Sequence, residues 1–324
     1  MFTGEYLREL TDKAITGLGA STEADRLFVP VRYILSIGGK RLRPVMCLMA
    51  CNLFRDKIDE AVMPAAGMEV FHNFTLVHDD IMDRADIRRG SPTVHSKWGS
   101  DQAILSGDVM AFLATECIGQ APDKALPKVL KLFNRTAIEV CIGQQLDMDY
   151  EKKGVVTTGE YLRMIELKTA VLVAASLKMG AIIGEASEKD QELLYEFGRS
   201  LGMAFQIQDD VLDTYGDTKK FGKKTGNDIV SNKKTYLLVR ALETAGGEKL
   251  RQLRKLMETT DGDPEEKITA VRNIFDELEI RLEAENLAYD YFNRSFRALD
   301  QVSVKDDRKN ELKQLAVNLI GRVK

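Results

Sequence analysis

Two short acidic runs in this chain carry the same pattern, Asp79-Asp80-Ile81-Met82-Asp83 and Asp209-Asp210-Val211-Leu212-Asp213. On a helix the first and third aspartates of each D-D-x-x-D lie one turn apart on one face. Carboxylates so placed repel each other unless something positive sits between them. An isolated acidic cluster is most simply a solvated face. The flanks argue against that here. Val70 to Val77 before the first triplet and Leu201 to Ile207 before the second are mostly apolar, as are Ile81, Met82, Val211 and Leu212 inside them. Both triplets are therefore expected on largely buried helices, where a carboxylate is costly unless paired or metal-bound. An all-oxygen donor set on a rigid element suits magnesium better than zinc. Two such triplets facing each other across a helix-lined cavity would hold several ions, and through them a diphosphate.

Positive charge for such an anion comes in blocks. Gly38-Gly39-Lys40-Arg41-Leu42-Arg43-Pro44 places three cations on a glycine-preceded turn, a suitable place for oxyanion contacts. Arg88-Arg89-Gly90 closely follows the first triplet. Lys168-Thr169 lies between Leu167 and Ala170, where a solvated head group has little room. After the second triplet come Lys219, Lys220, Lys223, Lys224, Lys233 and Lys234. Singly, each of these reads most simply as a surface or snorkelling cation, Lys168 least easily so. Nucleic acid is the rival polyanion. It is disfavoured because basic stations alternate with acidic ones and no aromatic-rich basic groove is evident.

The elements that must carry these groups read as helices. No proline falls between Pro127 and Pro264, a stretch rich in Leu, Ala, Met, Glu and Lys. Apolar residues recur at helical spacing in Leu132, Ile138, Cys141 and Ile142, and again in Leu162, Ile165, Leu172 and Leu177. Thr157 with Glu160 predicts a capping box, and Asp263-Pro264 predicts an N-cap followed by proline at the first helical position. Gly154, Gly180 and Gly246-Gly247 read as stops. Strand-like alternation is sparse. The expectation is an all-α single large helical bundle around a central cavity, one domain over 1–324, since no linker separates two halves.

The 324 residues are 44% hydrophobic and 30% charged, with a net charge of −4, a balance unlike that of a general nucleic-acid binder. Four cysteines without a CxxC pair suit a reducing compartment, and three histidines argue against a multi-histidine zinc site. Glu5, Arg8 and Glu9 occupy the place of a signal peptide's apolar stretch. The most apolar run, Ala170 to Leu177, is far shorter than the ~20 residues that span a bilayer. A cytoplasmic enzyme with no integral membrane segment is the expectation.

Jointly, these motifs resemble the trans-isoprenyl diphosphate synthases (polyprenyl synthetases), which include farnesyl and geranylgeranyl diphosphate synthases. The matching pieces are GGKRLRP at 38–44, LVHDDIMDRADIRRGSPTVH at 76–95, GQQLD at 143–147, KTA at 168–170, FQIQDDVLD at 205–213 and GKKTGNDIVSNKKT at 222–235. The resemblance implies the isoprenoid-synthase bundle and a chain-elongating prenyltransfer. An allylic diphosphate ionises, isopentenyl diphosphate attacks the cation, and a proton is lost to the released diphosphate. It implies three magnesium ions with substrate bound, held by Asp79, Asp83 and Asp209, with Asp80, Asp210 and Asp213 supporting them directly or through water. Lys168, Lys223, Lys233 and Arg88 would grip the allylic diphosphate. Lys40, Arg43, His72 and Arg89 would hold the isopentenyl diphosphate without metal. His72 stands seven residues before Asp79, two turns away on roughly the same face. Thr169, Gln206, Gln144 and Asp147 would line the reacting carbons and order the nearby lysines. The resemblance also implies a homodimer burying an apolar helix pair near 100–118.

In this family, the residues four and five before the first triplet, here Thr75 and Phe74, set product length. Phe74 lies ~7.5 Å below Asp79 along a helix axis, where a ring would block a deep tunnel. The first triplet lacks the two-residue insertion of many bacterial farnesyl synthases. A short product of fifteen or twenty carbons is expected. Two other classes stay open. His78-Asp79 is also the pair of an HD-type metal phosphohydrolase, although His72 is the only histidine upstream of it. A non-catalytic subunit of a heteromeric prenyl synthase is the third, although all six aspartates are present.

Overall fold

The computed structural model describes residues 1–19, 24–216, 225–259 and 262–320. The described chain is helical apart from one hairpin. The helices are α1 (Gly4–Thr16), α2 (Asp25–Ser36), α3 (Leu42–Phe54), α4 (Asp59–Met82), α5 (Val94–Trp98), α6 (Ser100–Ile118), α7 (Leu126–Lys152), α8 (Thr158–Ile165), α9 (Val171–Ile183) and α10 (Glu188–Tyr215). They continue with α11 (Asn227–Val230), α12 (Tyr236–Thr244), α13 (Gly247–Glu258), α14 (Pro264–Glu277), α15 (Ile280–Asp300) and α16 (Asp306–Ile320). The all-α expectation holds. The predicted signals act where expected. Thr157 and Glu160 form a reciprocal capping box at α8, and Asp263 caps α14 ahead of Pro264.

Gly180 is a correction. It lies inside α9 rather than at its end, and a Cβ there would stand 1.9 Å from the Cys47 carbonyl oxygen of α3. It is glycine because two helices touch backbone to backbone at that point, not because a helix stops.

The chain divides into two compact units, each built from separated stretches: 1–135, 175–195 and 301–315 in the first, 136–174, 196–300 and 316–324 in the second. In the first unit α3 is buried continuously from Pro44 to Leu53, and α4 packs against α1, α3 and α6. α4 carries the first triplet in its last turn, where Asp83 is the C-cap and its N–H reaches the Asp79 carbonyl at 2.8 Å. In the second unit Tyr161, Ile207, Leu237, Leu253, Phe275 and Ile280 belong to one apolar core. The second triplet again lies toward a helix C-terminus, that of α10.

Two local departures from the α-helix position functional groups. Ile87–Arg88 and Ser91–Pro92 pair as a two-stranded antiparallel hairpin, with Arg88 opposite Ser91. Its turn residues Arg89 and Gly90 both have positive φ, 52° and 76°, as a two-residue type I′ turn requires. Between α8 and α9, Glu166–Ala170 is π-helical, with the Val171 N–H bonded to the Glu166 carbonyl. Such single-turn bulges are frequent at functional sites.

Candidate functional site

Within the first unit, the middle aspartate of the triplet is tied down. Asp80 is 1% exposed, and Arg88 reaches it from the hairpin through Nε at 2.8 Å and Nη2 at 2.7 Å. The outer residues face outward: Asp83 is exposed and Asp79 half-buried. Met82 is also exposed, so the triplet's interior is less buried than its apolar residues predict.

The three cations of residues 40–43 separate into two roles. Arg41 is a buried structural group. Its guanidinium donates to Asp12 at 2.9 Å, to Glu69 at 3.0 Å and to the Leu35 carbonyl at 2.6 Å. Burial opposes its charge, but Asp12 and Glu69 outweigh that and raise its pKa. Lys40 is exposed. Arg43 has a buried Nε with no hydrogen-bond partner, and desolvation, with Arg89 adding to it, brings its pKa down to about 10. Arg89 donates to the Gly38 carbonyl, so the hairpin turn and the glycine turn meet. His72 lies among these guanidinium groups. Burial first, then Arg43, Arg89, Arg88 and Arg41, push its pKa well below the ordinary value, so it is neutral at pH 7. The structure thus brings Arg43, His72, Arg88 and Arg89 together within this unit. An orphaned guanidinium nitrogen among like charges makes this cluster a candidate for anion contact.

Below the first triplet, Phe74 is pinned between aromatic neighbours. Its ring centroid lies 5.4 Å from that of Phe71 and 4.8 Å from that of His78, and Phe71 in turn meets Phe133 at 5.3 Å. His78 is held by this stacking and by the Ile104 carbonyl, 3.2 Å from its Nε2. Thr75 bonds back to the His72 carbonyl at 2.8 Å.

In the second unit the middle aspartate is again buried, but its donors are neutral. Asp210 is 4% exposed and accepts from the Tyr161 hydroxyl, the Tyr236 N–H at 2.9 Å and Gln206 Nε2 at 3.3 Å. Desolvation raises its pKa to about 7, against the pull of these donors and of Lys233. Asp209 is exposed. Asp213 is half-buried and accepts the Asp228 N–H at 3.0 Å, anchoring α11. Desolvation likewise raises the Asp228 pKa, to about 6. From the π-helical turn, Lys168 Nζ donates to Asp147 at 2.5 Å, and Thr169 donates to Gln206 Oε1 at 3.2 Å. Gln144 lies one turn before Lys168's partner region on α7, and Lys233 is an exposed cation just before α12. Lys223, with Lys219, Lys220 and Lys224, lies outside the described residues.

Tyr161, Tyr236, Glu69 and Arg41's inward role were not foreseen from sequence. The capping box before Tyr161 signalled a helix start but nothing about Asp210.

The donors left at each triplet fit magnesium. Among the described residues no three His, Cys, Asp or Glu side chains form a protein-only cage. Magnesium does not need one, since it keeps waters and takes one or two carboxylates together with substrate phosphates. Each triplet also sits toward a helix C-terminus, the pole that disfavours anions and favours a cation.

With that geometry in hand, the comparisons with known proteins agree. The family described as Polyprenyl synthetase matches residues 24–275. The chain is 42% identical over 234 residues to a short chain isoprenyl diphosphate synthase of Methanocaldococcus jannaschii, covering 72% of this chain and 71% of that one. It is 38% identical to a geranylfarnesyl diphosphate synthase of Natronomonas pharaonis, covering 72% and 74%. A crystal structure of a geranylgeranyl pyrophosphate synthase superposes with a TM-score of 0.95 at 39% identity over 100% of both chains. The chain belongs to the polyprenyl synthetase family.

Proposed function

We propose that this protein is a chain-elongating trans-prenyltransferase. It condenses isopentenyl diphosphate with an allylic diphosphate (dimethylallyl, geranyl or farnesyl) and releases diphosphate. The family match over 24–275 supports treating 1–324 as one polyprenyl synthetase domain. The observation that carries the reading is the layout shared by the two triplets. In each, the middle aspartate is buried on protein donors, while the outer pair lies toward solvent or half-buried at a helix C-terminus.

Asp79 and Asp83, and Asp209 in the second triplet, are the residues for magnesium, three ions with substrate bound. The metal supplies charge neutralisation for a departing diphosphate. Ionisation separates an allylic cation from that anion, so groups that favour the leaving diphosphate over the intact ester lower the barrier. Lys168, Lys233 and Arg88 do this, with Lys223 assigned to the same task. Lys40, Arg43, Arg89 and neutral His72 hold the second diphosphate as donors. Thr169, Gln206, Gln144 and Asp147 orient the lysines and face the reacting carbons. No side chain is placed as a general base, and the released diphosphate takes the proton.

A fifteen- or twenty-carbon product is the reading supported by Phe74, whose ring lies against those of Phe71 and His78. Relatives that make longer chains make this the sharpest point to test. Wild type should make no product beyond twenty carbons, and Phe74→Ala should lengthen it; longer wild-type products would show that Phe74 is not the floor. A homodimer fits α6, which exposes Leu105 (53%) and Phe112 (76%) one heptad apart. No helix among the described residues is long and apolar enough to cross a membrane, and a cytoplasmic location goes with this reading.

The test of function is incubation with magnesium, isopentenyl diphosphate and a labelled allylic diphosphate. Elongated prenyl diphosphate is the expected result. Phosphate release without elongation would favour the phosphohydrolase class, and no turnover the non-catalytic subunit.

A further inference from the structure

The π-helical turn that presents Lys168 and Thr169 is seated against two glycines. A Cβ on Gly143 of α7 would stand 2.3 Å from the Lys168 backbone nitrogen, 2.6 Å from its Cα and 2.7 Å from the Leu167 carbonyl carbon. A Cβ on Gly202 of α10 would stand 2.7 Å from the Ala170 Cα and 2.9 Å from its Cβ. The atoms met are backbone or the stub of alanine, so no flexible side chain can yield. The bulge is wider than an α-helical turn and occupies the room that two absent side chains leave.

Each glycine stands one turn before the residue that catches a side chain from the bulge. Gly143 precedes Asp147 by four residues, and Asp147 accepts from Lys168. Gly202 precedes Gln206 by four residues, and Gln206 accepts from Thr169. On a helix, residues four apart share a face. One stripe of α7 and one of α10 therefore each supply both a seat for the backbone and an acceptor for the head group.

We infer that Gly143 and Gly202 are positioning residues for Lys168 and Thr169, setting the depth of the bulge and thereby the reach of the lysine toward the allylic diphosphate. This rests on the reading of Lys168 as an allylic-diphosphate ligand. Neither glycine touches substrate. Each acts through the turn it admits.

The test uses the full chain with magnesium and both substrates, measuring Gly143→Ala, Gly202→Ala and a control, Gly159→Ala, whose added methyl meets nothing within 4 Å. Displacing a binding group by about 1 Å can cost about 10²-fold in rate. The expected result is a fall of that order in kcat/KM for the allylic substrate, with the KM for isopentenyl diphosphate unchanged and Gly159→Ala at wild-type activity. If Gly143 works through Lys168, adding Gly143→Ala to Lys168→Ala brings no further loss, since residues acting as one unit are not additive. The same holds for Gly202→Ala on Thr169→Val.

Full additivity, or equal damage to both substrates' KM, would overturn the inference. A glycine variant that does not fold would overturn it for that residue, because the glycine would then be a requirement of the bundle itself. Should Lys168→Ala alone retain wild-type kcat/KM for the allylic substrate, the reading of Lys168 fails instead. If Lys168→Ala is impaired while the glycine variants are not, only the present inference fails.

Discussion

Each triplet leaves one outer aspartate exposed and one half-buried, and the two meet the burial of their middle aspartate in opposite ways. Asp80 is met by a cation from its own neighbourhood, the Arg88 guanidinium eight residues on. Asp210 is met by a phenol, a backbone N–H and an amide, none of them charged. At Asp210 desolvation outweighs these donors, and its pKa rises to about 7. The surroundings follow suit. The first unit crowds Arg41, Arg43, Arg88 and Arg89 around a neutral histidine. In the second unit Lys168 comes from a π-helical turn with its own counter-ion, Asp147, and Lys233 is an exposed cation just before α12. The first unit thus gathers guanidinium groups beside its buried carboxylate, and the second pairs Lys168 with a carboxylate of its own.

The largest test of this contrast is to remove the outer carboxylates, where the two triplets should behave alike. Asp79→Ala and Asp209→Ala are each expected to lower kcat by about 10³-fold, the scale of deleting one group that stabilises developing charge. Steady-state assays at saturating magnesium check it. A mild effect at either one would mean that the shared layout does not reflect a shared role.

At the middle position the triplets should diverge. Asp80→Asn removes the charge opposite Arg88 and is expected to cost about 3 kcal/mol, the upper range for hydrogen bonds to charged groups. Asp210→Asn keeps an acceptor for neutral donors and is expected to cost about 1 kcal/mol. Urea melts of metal-free protein would compare the two. Equal costs would erase the distinction.

A further test concerns His72. Its folded pKa is depressed, so the folded form stays neutral while the unfolded chain takes up a proton near pH 6.5. The unfolded state then binds more protons, and stability falls as pH drops below that point, by up to about 1.4 kcal/mol per pH unit. His72→Gln should flatten this slope between pH 6.5 and 5. The measurement is the difference in melting midpoint between the two proteins across that window, and parallel slopes would place the proton elsewhere.

Much of this was legible in the sequence. The triplets and the all-helical class follow from spacing and proline distribution, and Lys168 stood out because apolar neighbours left its charge without an obvious solvent face. The cap at Thr157 was legible because capping is local chemistry. What was hidden is non-local. Tyr161 is 49 residues from Asp210 in sequence and Tyr236 is 26, and nothing in either stretch marks a carboxylate partner. Arg41 read as a third oxyanion cation because its acceptors, half-exposed Asp12 and buried Glu69, come from other helices. The π-helical turn left no trace because Leu167 and Ala170 satisfy α-helical spacing equally well. Gly180 misled because glycine marks a helix end and a close helix crossing with the same letter.

The hairpin has a consequence for how the molecule is made. Closing a loop costs entropy that grows with the chain enclosed. Asp80 and Arg88 enclose only a short segment, so their pairing needs little more than the end of α4 and one tight turn, and can arise while later residues are still being synthesised. Asp210 must await α12, and its acceptor geometry is complete only after the chain has travelled past Tyr236. The first carboxylate is therefore expected to be sheltered early in folding and the second late, with perturbations at Asp80 retarding refolding and those at Asp210 chiefly hastening unfolding.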